Sequence, residues 1–175
     1  SVLAVVLTIV ATDQMSSHLI KPLVARLRPC NDPTIMHLID TVNGYRSGGY
    51  SFTSSHACNS FGIFTIVALL IRHRGLSLSM LLWASINGFS RIYLGVHYPG
   101  DILCGALLGA AIGLLIYLMY SFIHKRVEKT SVRITANYTQ SGYLTSDAQL
   151  MVASLYATFA FISIYALVYL NNNIL

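Results

Sequence analysis

Two stretches, Ile102 to Ile123 and Leu150 to Leu170, carry no formal charge from end to end. At 1.5 Å per residue each is long enough, as a helix, to cross a hydrocarbon core of about 30 Å. In lipid every backbone N–H and C=O must find its partner within the protein, so spans of this kind fold as helices. The rest of the chain agrees. Hydrophobic residues make up 55% of its 175 residues and charged residues 10%, with a mean hydropathy of +0.63. A soluble domain carries about 25% charged residues. The chain is read as an all-α, polytopic membrane helical bundle. Leu76 to Phe89, running on into Ser90 and Arg91, makes a third span, and Ala57 to Ile71 a fourth if its helix starts near Ser54. Ser1 to Ile20 makes a fifth, apolar to Ala11 and then carrying Asp13, Gln14 and His18. About five transmembrane helices are therefore expected. The chain opens in mid-helix without an initiator Met, a charged leader or a cleavage site, and is read as an excerpt truncated at its N-terminus.

The connections differ sharply in character. Residues 29–53 form one long loop broken by Pro29, Pro33, Asn43-Gly44 and Gly48-Gly49, with a short surface helix expected over Ile35 to Val42. Residues 72–75 make a tight basic turn, and 124–148 a polar connector. Followed through the bilayer, the 29–53 and 91–99 loops share one face, and the 72–75 turn and the connector share the other. Lys and Arg divide almost evenly, at positions 72, 74, 125, 126, 129 and 133 against 21, 26, 28, 46 and 91. If Lys21, Arg28 and Arg91 bind a ligand they leave the count, and the positive-inside rule then turns the 29–53 face away from the cytoplasm. The net charge of +5 does not indicate nucleic acid, because the basic residues sit in short loops between spans. Cys30, Cys58 and Cys104 match no metal spacing and no disulfide framework. Asn137-Tyr-Thr matches a glycosylation acceptor, a pattern too short to carry weight.

The chemistry is concentrated in Ser90-Arg-Ile-Tyr-Leu-Gly-Val-His-Tyr-Pro-Gly-Asp101. Holding a cation, an imidazole and a carboxylate at the edge of a bilayer is costly, so their default reading is a functional site. Pro99 suits a first helical turn, which sets His97 just before the helix and Asp101 inside it. A carboxylate so placed takes a proton from one imidazole nitrogen and leaves the other as base or nucleophile. Arg91 offers a planar fork for phosphate oxygens. The bland alternative is an Arg–Asp pair closing a loop, with His97 a packed bystander. Gly105, Gly109 and Gly113 continue the spacing of His97 and Asp101, a stripe that lets helices approach closely in lipid.

Two further segments share that face. Lys21-Pro-Leu-Val-Ala-Arg-Leu-Arg28-Pro29 sets a point charge and a guanidinium seven residues apart, though basic residues also serve as plain interfacial anchors. Tyr50-Ser-Phe-Thr-Ser-Ser-His56 brings hydroxyls and free N–H groups to a helix start, an anion seat, with His56 placed to protonate a leaving group. A capping Ser beside a surface His would explain it as well.

In order the segments read Lys-x6-Arg-Pro, Thr-Ser-Ser-His and Ser-Arg-x5-His-x3-Asp. This resembles the type 2 phosphatidic acid phosphatase family, a branch of the superfamily that includes the vanadium-dependent haloperoxidases. The resemblance covers Lys21 to Asp101, about half the chain. It implies that Lys21, Arg28 and Arg91, with Ser54, Ser55 and nearby N–H groups, bind the phosphoryl oxygens. It further implies that His97 is the nucleophile, that Asp101 orients it, and that His56 protonates the leaving oxygen and then activates water. No metal and no cofactor is implied. Residues 1–123 would form the phosphatase bundle, 124–148 a polar cytoplasmic connector and 149–175 an additional C-terminal transmembrane helix. The second motif departs from the family's Pro-Ser-Gly-His, with Thr53 for Pro and Ser55 for Gly, so a Cβ at Ser55 stands near the phosphate.

Elementary chemistry agrees, since phosphoryl transfer needs neutralised equatorial oxygens, an in-line nucleophile and an acid. His73 and His124 are expected to be solvated, His37 to lie in the long loop, and His18 with Asp13 to form a buried network supporting Lys21. A transporter or channel lined by the same cations is the alternative from another class, but it does not explain the His97–Asp101 spacing. A haloperoxidase would be soluble. The expected substrate is a lipid-linked phosphate at an extracytoplasmic site in a membrane such as the bacterial inner membrane. An isoprenoid diphosphate such as undecaprenyl diphosphate is the first choice, with lipid A or phosphatidylglycerol phosphate behind it. The sequence sets no oligomeric state.

Overall fold

The computed structural model describes residues 1–127 and 137–174; Lys129 and Arg133 of the connector lie outside them. The described residues form an all-helical bundle. The first span is composite: α1 (Val2–Asp13) passes through a π-helical stretch (Gln14–Ile20) into α2 (Lys21–Val24). Pro22 explains the wide turn, because proline has no N–H to give and its ring crowds the carbonyl four residues back. The helix ends at Ala25, which adopts the left-handed conformation at φ 50°. The chain then runs extended through Arg28, at φ −75° and ψ 150°.

α3 (Ser55–Ile71) starts where the Ser54 hydroxyl accepts from the Ala57 N–H at 3.4 Å, and ends at Arg72 in the left-handed region, at φ 53°. α4 (Arg74–Tyr93) begins on His73, whose Nδ1 accepts from the Leu76 N–H at 3.1 Å. That imidazole is a helix cap rather than the solvated side chain expected. α5 (Pro99–Val127) has Pro99 at its start and Asp101 in its first turn. α6 (Thr145–Ile174) packs on α4, where the Ser79 hydroxyl donates to Tyr156 at 3.4 Å.

Among the described residues three stretches, Val2–Asn31 (helical as far as Val24), Pro99–His124 and Thr145–Tyr169, are long and apolar enough to cross a membrane; α3 is apolar but shorter. α4 has the length, at 20 residues, with a serine- and asparagine-bearing sequence between Arg74 and Arg91. Large apolar side chains face outward on most helices, among them Leu7, Leu107 and Phe161. Such a surface suits lipid tails rather than water. The long loop holds no helix over Ile35 to Val42. It makes separate 3-10 turns at Met36–Leu38 and Val42–Gly44, with Ile39 and Thr41 extended between them. Their β-branched side chains favour extended backbone, and both lie against Gly95.

Glycine sets the packing of α3 on α5. A Cβ at Gly109 would overlap the Cys58 carbonyl, one at Gly105 would lie 2.6 Å from the Ser54 carbonyl oxygen, and one at Gly113 would lie 2.8 Å from that of Gly62. On the other side of α3, Gly62 admits the methyls of Thr8 and Thr12 from α1. These buried threonines spend their hydroxyls within their own helix, donating to the Ala4 and Thr8 carbonyls at 2.8 and 2.9 Å. No hydroxyl there is left wanting water. The far end is closed by an apolar cluster of Ala4, Ile66, Val67, Leu70 and Leu76. Cys30, Cys58 and Cys104 are all free thiols.

Because backbone on α3 cannot yield, Gly109→Val should destabilise the protein by roughly 3 kcal/mol or more. Gly100→Ala, where a Cβ meets nothing within 4 Å, should change little. Thermal unfolding in detergent, compared between the two variants, measures the difference.

Candidate active site

Helix geometry brings the three segments to one end of the bundle. Lys21 opens α2, His56 lies in the first turn of α3, Arg91 in the last turn of α4, and His97 in the turn before α5. Arg28 arrives on the extended segment. With Ser55 these side chains line one cavity of about 440 Å³. Asp101 stands directly behind His97, fully buried. Ser54 does not reach the wall. It is fully buried, with its hydroxyl on the α3 cap and its N–H donating to the Asp101 carbonyl at 3.1 Å. Ser55 does face the cavity, but its hydroxyl pairs with that of Ser17 at 2.8 Å.

The His97 ring is held on both sides. Its Nδ1 lies 3.4 Å from Asp101 Oδ2 and 3.4 Å from the Ser51 hydroxyl. Its Nε2 lies 3.1 Å from Arg28 Nη1. A guanidinium cannot accept a hydrogen bond, so Nε2 is the acceptor and Nδ1 carries the proton. Nε2 therefore presents a lone pair at the cavity wall. Burial pushes the His97 imidazole below its usual range, against the hydrogen bond it donates to Asp101, which pulls it back up. Arg28 is itself fixed, donating from Nε to the Gly48 carbonyl at 2.9 Å and from Nη1 to that of Val96 at 3.1 Å. Lys21 reaches the Tyr50 carbonyl at 3.4 Å, and Arg91 Nε reaches the Ser90 hydroxyl at 3.2 Å.

Asp101 has more partners than the motif spacing suggests. Arg26 Nη1 meets its Oδ1 at 3.2 Å, the Tyr98 N–H donates to Oδ2 at 2.9 Å, and the Ser51 hydroxyl makes a short bond to Oδ2. The Arg26 guanidinium lies 3.7 Å over the Tyr98 ring, and the Tyr98 hydroxyl donates to Asp32 at 3.2 Å. Hydrogen bonds from the Thr34 side chain and N–H, more than that of Tyr98, hold the Asp32 carboxyl below its usual range. Sequence reading counted Arg26 only as interfacial charge. Its signal was its spacing of two from Arg28, which on extended backbone puts both side chains on one side. Ser51 had no such signal.

His18 is exposed, so the expected buried network of His18 and Asp13 does not form; the π-helical stretch turns it outward. Asp13 does line the cavity and accepts from Ser17 at 3.1 Å. His37 is exposed in the long loop. Among the described residues no three His, Cys, Asp or Glu side chains converge on a metal-sized site.

The comparisons with known proteins extend beyond the motifs. A lipid A 4'-phosphatase of Bacteroides thetaiotaomicron is 46% identical over 125 residues, covering 71% of this chain and 54% of its own length. An undecaprenyl-diphosphatase of Bacillus subtilis is 31% identical over 85 residues, 49% of this chain and 42% of its own. The chain thus spans about half the length of the curated relatives it matches. Among solved structures, that of a transmembrane PAP2-type phosphatidylglycerolphosphate phosphatase from Bacillus subtilis superposes with a TM-score of 0.50. It is 23% identical, and the match covers 74% of this chain and 61% of that one, a likeness of fold. The sequence model of the PAP2 superfamily matches residues 2–125, which takes in every residue from Lys21 to Asp101, and the chain belongs to that superfamily.

Proposed function

We propose that this chain is the catalytic part of an integral-membrane lipid phosphatase that works through a phosphohistidine. The observation that carries the reading is the orientation of His97, with Nδ1 turned to a buried carboxylate and Nε2 to a cavity walled by Lys21, Arg28 and Arg91. The Nε2 lone pair attacks phosphorus, and the bond from phosphorus to the lipid oxygen breaks. That oxygen takes its proton from the His56 imidazolium. Neutral His56 then accepts a proton from water, the water oxygen attacks phosphorus, and the N–P electrons return to Nε2. Inorganic phosphate leaves. Arg28 must exchange its contact with Nε2 for one with a phosphoryl oxygen as substrate enters. Lys21 and Arg91 complete the neutralisation of developing charge. Ser54 acts indirectly, by capping the helix that carries His56.

For the substrate, similarity to a lipid A 4'-phosphatase over 71% of the chain favours a phosphomonoester on a lipid A-type saccharolipid. The isoprenoid diphosphate preferred from sequence becomes the runner-up, its relative matching over a shorter span at lower identity. The site is placed on the extracytoplasmic face. Arg26 is spent on Asp101, and Lys21, Arg28 and Arg91 on the cavity, which leaves Arg46 alone on that face. Among the described residues four basic residues, Arg72, Arg74, Lys125 and Arg126, lie at the opposite helix ends.

Phosphate release by the purified protein in detergent, from lipid A, undecaprenyl diphosphate, phosphatidic acid and a soluble ester, tests the reading. Turnover should be greatest on lipid A, should survive EDTA and should be blocked by vanadate. Preference for the soluble ester would refute a membrane substrate.

His97→Ala should abolish turnover. Asp101→Asn should retain a residue of it, about 10²- to 10⁴-fold below wild type. The acid limb of kcat/KM should lie below the ordinary imidazole range of about 6.5, because a lowered pKa keeps Nε2 unprotonated to lower pH. Asp101→Asn removes the interaction that raises His97, so the limb should move further down. Arg26→Ala frees Asp101 to bond His97 more strongly, so the limb should move up, with kcat reduced roughly tenfold. Shifts in the same direction would show that Arg26 does not act through Asp101.

Orientation is tested by single cysteines in a background without Cys30, Cys58 and Cys104. Arg46→Cys should react with an impermeant thiol reagent in intact cells, and Gln140→Cys should react only after lysis. The reverse pattern would place the site inside.

A further inference from the structure

The cavity continues inward well below the phosphate-binding rim, and the character of its wall changes on the way. Three helical stripes run down it: Lys21–Ser17–Asp13 on the first span, His56–Asn59–Ile63 on α3 and Arg91–Asn87–Trp83 on α4. Each starts at the rim with a cation or imidazole. Seven or eight residues of helix carry each about 10–12 Å inward. One turn in, the rim's cations give way to the amides of Asn59 and Asn87, and a turn further to the Asp13 carboxylate, Ile63 and the Trp83 indole. Polar side chains at membrane depth are costly and mark a ligand path. One of them is also unsatisfied, since Asn59 Oδ1 is buried and has no hydrogen-bond partner among the described residues. A buried amide left so in a native fold points to something absent that completes it.

We propose that Asp13, Asn59 and Asn87 form a subsite for the leaving group, and that the leaving group it fits is a hydroxyl-bearing sugar ring. This rests on reading the rim as a phosphatase site. In-line transfer puts the departing oxygen on the side of phosphorus away from His97 Nε2. That oxygen takes its proton from His56, so the group it carries lies along the His56–Asn59 stripe below it. Asp13 can only accept hydrogen bonds, Asn87 donates to the Ser60 hydroxyl and keeps its oxygen as an acceptor, and the Asn59 amide can do either. Sugar hydroxyls meet both needs. A diphosphate would instead leave its second phosphate, an anion, against the Asp13 carboxylate. An acylglycerol brings ester carbonyls and no donors to a carboxylate that needs them. Of these three leaving groups only the sugar matches the floor. The bond broken is the one between phosphorus and a ring oxygen, which departs as a free hydroxyl carrying the proton from His56.

The experiment compares kcat/KM on three substrates: a lipid-anchored hexosamine 4-phosphate, an isoprenyl diphosphate and phosphatidic acid. Asn59→Leu should lower the ratio of sugar phosphate to phosphatidic acid about tenfold to a hundredfold, chiefly through KM. Asp13→Asn should raise the ratio of diphosphate to phosphatidic acid. Ratios do not depend on how much folded enzyme each variant yields. Should Asn59→Leu lose all three activities, Asp13→Asn decides alone. Unchanged ratios in both variants, with the wild type active, would overturn the subsite and leave the phosphatase reading standing. A wild type that releases phosphate from none of the three would overturn both.

Discussion

The closeness of α3 to α5 is the constraint on which the site depends. Gly105, Gly109 and Gly113 let the two backbones meet with no side chain between them, against the carbonyls of Ser54, Cys58 and Gly62. In lipid, where apolar surface gains little by leaving its surroundings, such contact is a main source of helix association. It also joins the second motif to the third. Gly105 lies under Ser54, and the Ser54 N–H reaches the Asp101 carbonyl one turn earlier on α5. The helix start that bears His56 and the helix start that bears Asp101 are therefore a single unit. An added methyl in this seam would be felt at the mouth of the cavity.

Around that unit the protein assembles a buried carboxylate with enough donors to stay ionised. Desolvating Asp101 without them would be expensive. Arg26, Ser51, the Tyr98 N–H and the His97 ring share the task. Only Arg26 brings a full charge, and it is anchored in turn by stacking on Tyr98. Tyr98 is tied to Asp32, so the long loop, the turn before α5 and the end of the first span become mutually dependent.

Much of this was legible in the sequence, for a physical reason. In an apolar chain each charged residue is conspicuous, and Lys21, Arg28, His56, Arg91, His97 and Asp101 stand out against their surroundings. The glycine stripe and the helix starts at Ser54 and Pro99 follow from steric and capping rules. What was missed lies where backbone departs from regular geometry. No local signal marks the left-handed end of the helix at Ala25, from which the chain runs extended to bring Arg28 to the cavity. That same departure hid Arg26. The π-helical stretch shifted the face on which His18 lies, and the pull of Ile39 and Thr41 toward Gly95 replaced a surface helix with separate turns. Ser51 is brought to Asp101 by loop closure, which no local pattern encodes.

The contact between Arg28 and His97 Nε2 has a consequence for timing. The imidazole's lone pair is occupied by a guanidinium proton. In the mechanism proposed above, an arriving phosphate is a better partner for that guanidinium than a neutral ring is. Its arrival therefore uncovers the lone pair and brings phosphorus to it in the same event. Under that mechanism occupancy and nucleophilicity become one variable.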